Sequence, residues 1–248
     1  MKKVKGILKA RCLFTFIQFI PHNFFILRTM ITENFAALVI AYLLGSIPTA
    51  VWVGKIFYGM DVRQHGSGNA GATNTFRILG AKAGIPVLLM DTLKGFFAVK
   101  LFFVFGKNFI TEDAIVNFKL SLGVMAMLGH IFPVYAKFKG GKGIATLVGF
   151  MIGVHLPATL LCVGIFTVIL FSTRYVSLGS IIGAICFPFA IMFLFGETVF
   201  SLLIFSWCIA GIVLLTHRNN IKRLLKGEEL KVPLFYGERS VSKSQREG

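Results

Sequence analysis

Acidic residues are scarce in this chain: ten Asp and Glu stand against 26 Lys and Arg over 248 residues, a formal charge of +16. Cysteine is sparse too. Cys162, Cys186 and Cys208 fall in apolar segments and Cys12 in the amino-terminal arm, with no CxxC and no Cys/His ligand spacing. That excludes a thiolate metal site and leaves packing thiols. GGKG at 140–143 lacks the G-x-x-x-x-G-K-[ST] spacing, with Gly143 where Ser or Thr is needed, so a nucleotide P-loop is excluded. There is also too little polar surface for a soluble domain, at 56% hydrophobic residues with 27 Phe and a mean hydropathy of +0.79. The class is an all-α polytopic membrane protein, because the apolar segments are too long and continuous for barrel strands. In a soluble protein this charge would point to nucleic acid. Here the Lys and Arg gather in loops that face anionic headgroups, so membrane lipids are the expected partner and nucleic acid is not.

Seven spans are predicted, at about 35–57, 83–105, 118–135, 144–154, 158–171, 178–195 and 199–215. The first carries GSIPTA, where Pro48 should kink the helix and free carbonyls. The second carries Asp91 and Lys94, each costing roughly 2.5–3.5 kcal/mol if left alone at mid-membrane. At i and i+3 they share a helical face, and pairing is the expected solution. The fourth and fifth are short and flank His155-Leu156-Pro157, as two tilted helices or a re-entrant pair. Basic residues cluster in the loops after spans one, three, five and seven, which places those loops in the cytoplasm, the amino end outside and the carboxyl end inside.

All the polar motifs fall on that cytoplasmic side. HGSGNAGATNTFR, 65–77, sets Gly66, Gly68 and Gly71 among Ser67, Asn69, Thr73, Asn74 and Arg77. Glycines free the backbone to turn and to approach a ligand, and successive N–H groups there can cradle a phosphate. KFKGGKG places Lys137, Lys139 and Lys142 around Gly140 and Gly141. Ser177 and Ser180 follow the loop at 172–174, and His217 and Asn220 share a face at the start of a basic helix. Each has a bland reading as a turn-rich or topology-setting loop; their convergence at one membrane depth favours an anion site.

These segments resemble a known family. GSIPTA, GSGNAGATNTFRILG, Asp91 with Lys94-Gly95, GHIFPVYAKFKGGKGIAT and HRNNIKRLLKGEE look like the motifs of the bacterial acyl-phosphate:glycerol-3-phosphate acyltransferases, over about 41–229. The resemblance implies a seven-helix enzyme of the inner (plasma) membrane with its active site facing the cytoplasm. It would move a fatty acyl group from acyl phosphate to the 1-hydroxyl of glycerol 3-phosphate, giving lysophosphatidate and phosphate for phospholipid biosynthesis. It implies no cofactor and no metal, and a monomer is expected. Ser67, Asn69 and Thr73, with Gly66, Gly68, Gly71 and Asn74 around them, correspond to the acyl phosphate pocket. Arg77, Lys139 or Lys142 beside Gly140 and Gly141, His217 and Asn220 correspond to the glycerol 3-phosphate site, with Ser177 or Ser180.

No Ser-His-Asp order or HxxxxD pair surrounds His65, His130, His155 or His217. Acyl phosphate is already an activated anhydride, so orientation and charge stabilisation supply most of the expected acceleration. A donor phosphate oxygen is the preferred proton acceptor, with His217 as the rival base. A transporter of phosphorylated metabolites and a lipid-binding scaffold are the competing classes; the first is disfavoured because no inverted repeat is visible.

Three segments are expected: a basic extension at 1–29, one membrane-embedded domain at 30–230 and a cytoplasmic tail at 231–248. The extension holds Lys2, Lys3, Lys5, Lys9, Arg11 and Arg28 with no acid, which conflicts with an amino end outside. Translation from Met30 would remove the conflict. The run 13–20 is otherwise an interfacial or signal-like segment.

Overall fold

Pro48 interrupts the first span as its missing N–H requires. The computed structural model describes residues 32–232, so Cys12, the run 13–20, the extension at 1–29 with a start at Met30, and all but the first two residues of the tail expected at 231–248 lie outside the described residues. α1 (residues 32–45) ends at Ser46, and α2 (Thr49–Tyr58) restarts after the proline. There follow α3 (Ala72–Leu79), α4 (Ala81–Lys100), α5 (Phe102–Phe105), α6 (Glu112–Ile131), α7 (Ile144–Val154), α8 (Leu156–Thr173), α9 (Val176–Phe189), α10 (Phe200–Thr216) and α11 (Arg218–Leu225). No strand occurs among the described residues.

The α1–α2 break is used for binding within the fold. Lys94 Nζ donates to the Ile47 carbonyl at 2.9 Å and pairs with Asp91 at 2.8 Å, both side chains buried. Thr49 Oγ1 donates to the same carboxylate, and His130 Nδ1 stands 3.7 Å from it. The i, i+3 pairing expected on α4 is therefore present, and it joins α4 to the broken first span and to α6. α4 also meets α7 backbone to backbone. A Cβ on Gly149 would stand 1.7 Å from the Thr92 carbonyl oxygen, and one on Gly95 2.1 Å from that of Thr146. This contact fixes α7, whose amino-terminal end carries the Lys142 turn.

Phe150, Met151, Ile191, Leu202 and Val213 anchor the largest buried apolar cluster. The outer surface is also apolar, with Phe193 75% and Phe200 73% exposed, as lipid contact requires. Among the described residues, four helical stretches are long and apolar enough to cross a membrane: Thr32–Tyr58, Glu112–Ala136, Leu156–Thr173 and Val176–Leu194. Phe200–Thr216 followed by Arg218–Leu225, bent by 61°, makes a fifth. Of the seven predicted spans, two do not qualify on length and composition: α4 carries Lys82, Asp91, Lys94 and Lys100, and α7 is only 11 residues long. The third span starts earlier than predicted. Thr111 caps α6 by accepting from the Ala114 N–H, and Glu112 and Asp113 occupy the first turn, where the helix dipole favours acids. Past Pro188, α9 widens into a π turn at Ala190–Leu194.

Candidate active site

The loop between α2 and α3 is folded around one side chain. Asn74 is 1% exposed. Its Oδ1 accepts from the Ser67 N–H at 2.9 Å and from Ser67 Oγ at 3.1 Å. Its Nδ2 donates to the carbonyls of Val62 and His65 at 2.8 and 3.1 Å. The backbone turns with Gly66 at φ 61° and Gly68 at φ 71°, conformations that cost a residue with Cβ. A Cβ on Gly66 would also lie 2.5 Å from Asn74 Oδ1. Asn74 and Gly66, expected from the sequence among the substrate-binding residues, thus also shape the loop. Ser67 and Gly68 lie exposed on it, with Asn69 and Thr73 half-buried. Gly71 precedes α3 without a side-chain cap, which leaves the first α3 N–H groups facing the loop.

The second loop follows α6. Gly140 and Gly141 N–H groups donate to the carbonyls of Ile131 and His130, both at 3.2 Å. Between them and a 3₁₀ turn at Val134–Ala136, Lys137 and Phe138 both take left-handed backbone angles, φ 55° and 58°. The turn places the two candidate lysines differently. Lys139 is exposed, whereas Lys142 is half-buried and its Nζ donates to Asn220 Oδ1.

The third part comes from the end of α10. His217 and Asn220 are both buried. The Val213 carbonyl lies 2.9 Å from His217 Nδ1. A carbonyl only accepts, so the hydrogen sits on Nδ1 and the lone pair on Nε2. Asn220 Nδ2 donates to Glu229 Oε1 at 2.7 Å, Ser177 Oγ to the same oxygen at 2.9 Å, and Arg223 Nε to Oε2 at 2.7 Å. Ser180 Oγ instead donates to the Val176 carbonyl within its own helix, so of the two candidate serines Ser177 faces the cluster. Arg77 Nη2 donates to the Leu230 carbonyl at 2.8 Å, while its buried Nε has no protein partner. The Val232 N–H donates to the Arg174 carbonyl at 3.1 Å.

Arg77, Lys142 and Arg223 therefore share one region with the Glu229 carboxylate: Glu229 and Arg223 act on the charges of Arg77 and Lys142, and Arg77 acts on that of Lys142. Three cations less one carboxylate leave a formal +2, which matches a phosphate dianion. Burial lowers Lys142 to about 8, opposed by Glu229 and reinforced by Arg223 and Arg77. Burial lowers His217 to about 4, with Lys142 adding to the effect. Glu229 is held below its usual range, because the hydrogen bonds from Asn220, Arg223 and Ser177 outweigh its burial. No group of three or more His, Cys, Asp or Glu among the described residues is arranged to hold a metal.

The sequence profile of glycerol-3-phosphate acyltransferase matches residues 35–227. The chain belongs to the glycerol-3-phosphate acyltransferase family. A glycerol-3-phosphate acyltransferase of Chlorobium phaeobacteroides (strain BS1) is 39% identical over 227 residues, covering 81% of this chain and 96% of that protein. One from Staphylococcus carnosus (strain TM300) is 42% identical over 202 residues, covering 79% and 96%. The crystal structure of PlsY, an integral membrane glycerol 3-phosphate acyltransferase in its glycerol 3-phosphate form, superposes with a TM-score of 0.68 at 35% identity. It covers 81% of this chain and 96% of that one. Its lysophosphatidic acid form gives 0.65 at 34% identity.

For this acyltransferase, sequence reasoning passed over two members of the cluster. Arg223 is one base among several in α11, and Glu229 lies beyond that helix. The available signal was the acidic pair Glu228-Glu229 closing a run of bases.

Proposed function

We propose that this membrane acyltransferase transfers a fatty acyl group from acyl phosphate to the 1-hydroxyl of glycerol 3-phosphate. The hydroxyl oxygen attacks the acyl carbonyl carbon, the bond from that carbon to the phosphate oxygen breaks, and lysophosphatidate and inorganic phosphate result. The observation that carries this reading is the cation cluster of Arg77, Lys142 and Arg223, assembled beside an open glycine loop. Such a pair of sites suits two anionic substrates and needs no protein nucleophile. Arg77 and Lys142 hold the acceptor phosphate, and Asn220 and His217 orient the acceptor. Ser67, Gly68, Asn69 and Thr73 hold the donor phosphate.

The attacking hydroxyl gives its proton to a donor phosphate oxygen. A histidine lowered to about 4 is a poor base near neutrality, so His217 acts through hydrogen bonding at Nε2. We further propose a bacterial inner membrane protein with seven spans, α4 and α7 included. Burial of the Asp91–Lys94 pair against Ile47 and Thr49 lets α4 cross despite its charges. The amino end lies outside and the three loops of the site face the cytoplasm.

Purified protein in phospholipid vesicles, given labelled acyl phosphate and glycerol 3-phosphate, should yield equal amounts of lysophosphatidate and phosphate. Replacing the donor with acyl-CoA should yield neither. Turnover with acyl-CoA alone would overturn the donor assignment, and movement of glycerol 3-phosphate across the vesicle without acylation would favour a transporter.

A further inference from the structure

Arg63 belongs to none of the contacts assigned above, yet all three nitrogens of its guanidinium donate. It lies in the short 3₁₀ turn Val62–Gln64, capped by Asp61, whose Oδ1 accepts from the Arg63 N–H at 3.1 Å. Arg63 Nε and Nη2 donate to the two Asp61 oxygens at 2.9 and 2.6 Å, a fork-to-fork pair. Lys55 stands 3.6 Å from the same carboxylate. Arg63 Nη1 then crosses to the other loop, donating to the Ala136 carbonyl at 3.1 Å and lying 3.4 Å from that of Lys139.

The two carbonyls bracket the left-handed pair Lys137 and Phe138. Two successive residues with a Cβ in that region persist only where the surroundings over-determine them. On the opposite side the loops touch directly: a Cβ on Gly141 would stand 3.0 Å from the Ala70 carbonyl oxygen and 2.4 Å from His130 Nε2. The glycine loop and the Lys142 turn are thus joined at two points, one backbone contact at Ala70 and Gly141 and one side-chain clamp at Arg63. Val62, next to Arg63, is held by Asn74, so the clamp is continuous with the fold of the glycine loop.

We propose that Arg63 is a positioning residue: with Asp61 it clamps the glycine loop against the Lys142 turn, setting the donor site in register with the acceptor site. The inference rests on the two-site reading above. Register is needed for reaction and not for binding either substrate alone, so its loss falls on turnover. Lysine keeps the charge but lacks the planar fork, and it does not reach Asp61 and both carbonyls together.

The test uses full-length wild type, Arg63→Gln and Arg63→Lys in vesicles. Calorimetric titration with glycerol 3-phosphate reads the fraction of binding-competent enzyme and the affinity; acyl transfer is then expressed per binding site. Both variants should bind with affinity within about threefold of wild type, yet turn over about tenfold more slowly or worse, the scale of one charge-assisted contact. Amide hydrogen exchange over 136–142 should quicken in both. Unchanged turnover per site, or unchanged exchange there, overturns the clamp. Affinity falling in step with turnover makes Arg63 part of the acceptor site instead, and loss of binding stoichiometry makes it merely structural. A wild type that shows the exchange difference from its variants but makes no lysophosphatidate defeats the proposed reaction and leaves the clamp standing.

Discussion

Asn220 takes its orientation from Glu229. The 2.7 Å bond from Asn220 Nδ2 to Glu229 Oε1 turns the other end of the carboxamide, Oδ1, to Lys142. One buried carboxylate thereby sets an amide that sets a lysine. Glu229→Gln keeps the shape but loses the charge that Ser177, Asn220 and Arg223 donate to. A charge-assisted bond is worth about 1.5–3 kcal/mol, so thermal unfolding in detergent should shift down and acyl transfer should fall. The wild type should show a matching acid sensitivity. Glu229 is held below its ordinary value of 4.5, so its contribution is full above that value and is lost as pH falls through the lowered one. Melting curves of wild type and variant that run parallel down to low pH would contradict this.

Arg77→Ala removes a half-buried guanidinium from the proposed acceptor site together with the tether to Leu230. Losing one charge-assisted phosphate contact should lower kcat/KM for glycerol 3-phosphate roughly 10- to 100-fold, with membrane insertion intact. Near-normal kinetics in vesicles would remove Arg77 from the site.

Lys142 must be charged to hold a phosphate, and burial brings it down to about 8. A lysine with a depressed value loses its proton early as pH rises. Log kcat/KM for glycerol 3-phosphate should therefore decline above pH about 8, a limb that reports the free enzyme. Lys142→Arg should move that limb far to the alkaline side, whatever it does to the absolute rate. An unmoved limb would assign the ionisation elsewhere.

Burial lowers His217 to about 4, which leaves it neutral near pH 7. His217→Gln should raise KM for glycerol 3-phosphate and change kcat, while the acid limb of the kcat profile keeps its position. Disappearance of that limb in the variant would make His217 the base.

The motifs were legible because they are polar interruptions of an apolar chain, and the Asp91–Lys94 pair because a helical face is fixed by spacing alone. The cap at Thr111 has a signal in its hydroxyl and the two acids behind it, but it went unread: the apolar pattern begins later and puts the predicted span at 118. The choice between Lys139 and Lys142 was not legible. It depends on the left-handed angles at Lys137 and Phe138, which no periodicity encodes. The part Asn74 plays as the loop's core was not legible either, although a carboxamide that both donates and accepts suits it. Arg63 and Glu229 act over separations of 73 and 52 residues, beyond any local pattern.

Glu229, Leu230 and Val232 fasten Ser177, Arg77 and Arg174 respectively, and all three lie at the carboxyl end of the described chain. A ribosome makes the protein from the other end. Every helix of the bundle is therefore synthesised before the residues that set Asn220 and tether Arg77 exist. An inserting nascent chain holds its cations without Glu229 to order them. The ability to acylate arrives late in translation, when the membrane architecture has already been laid down.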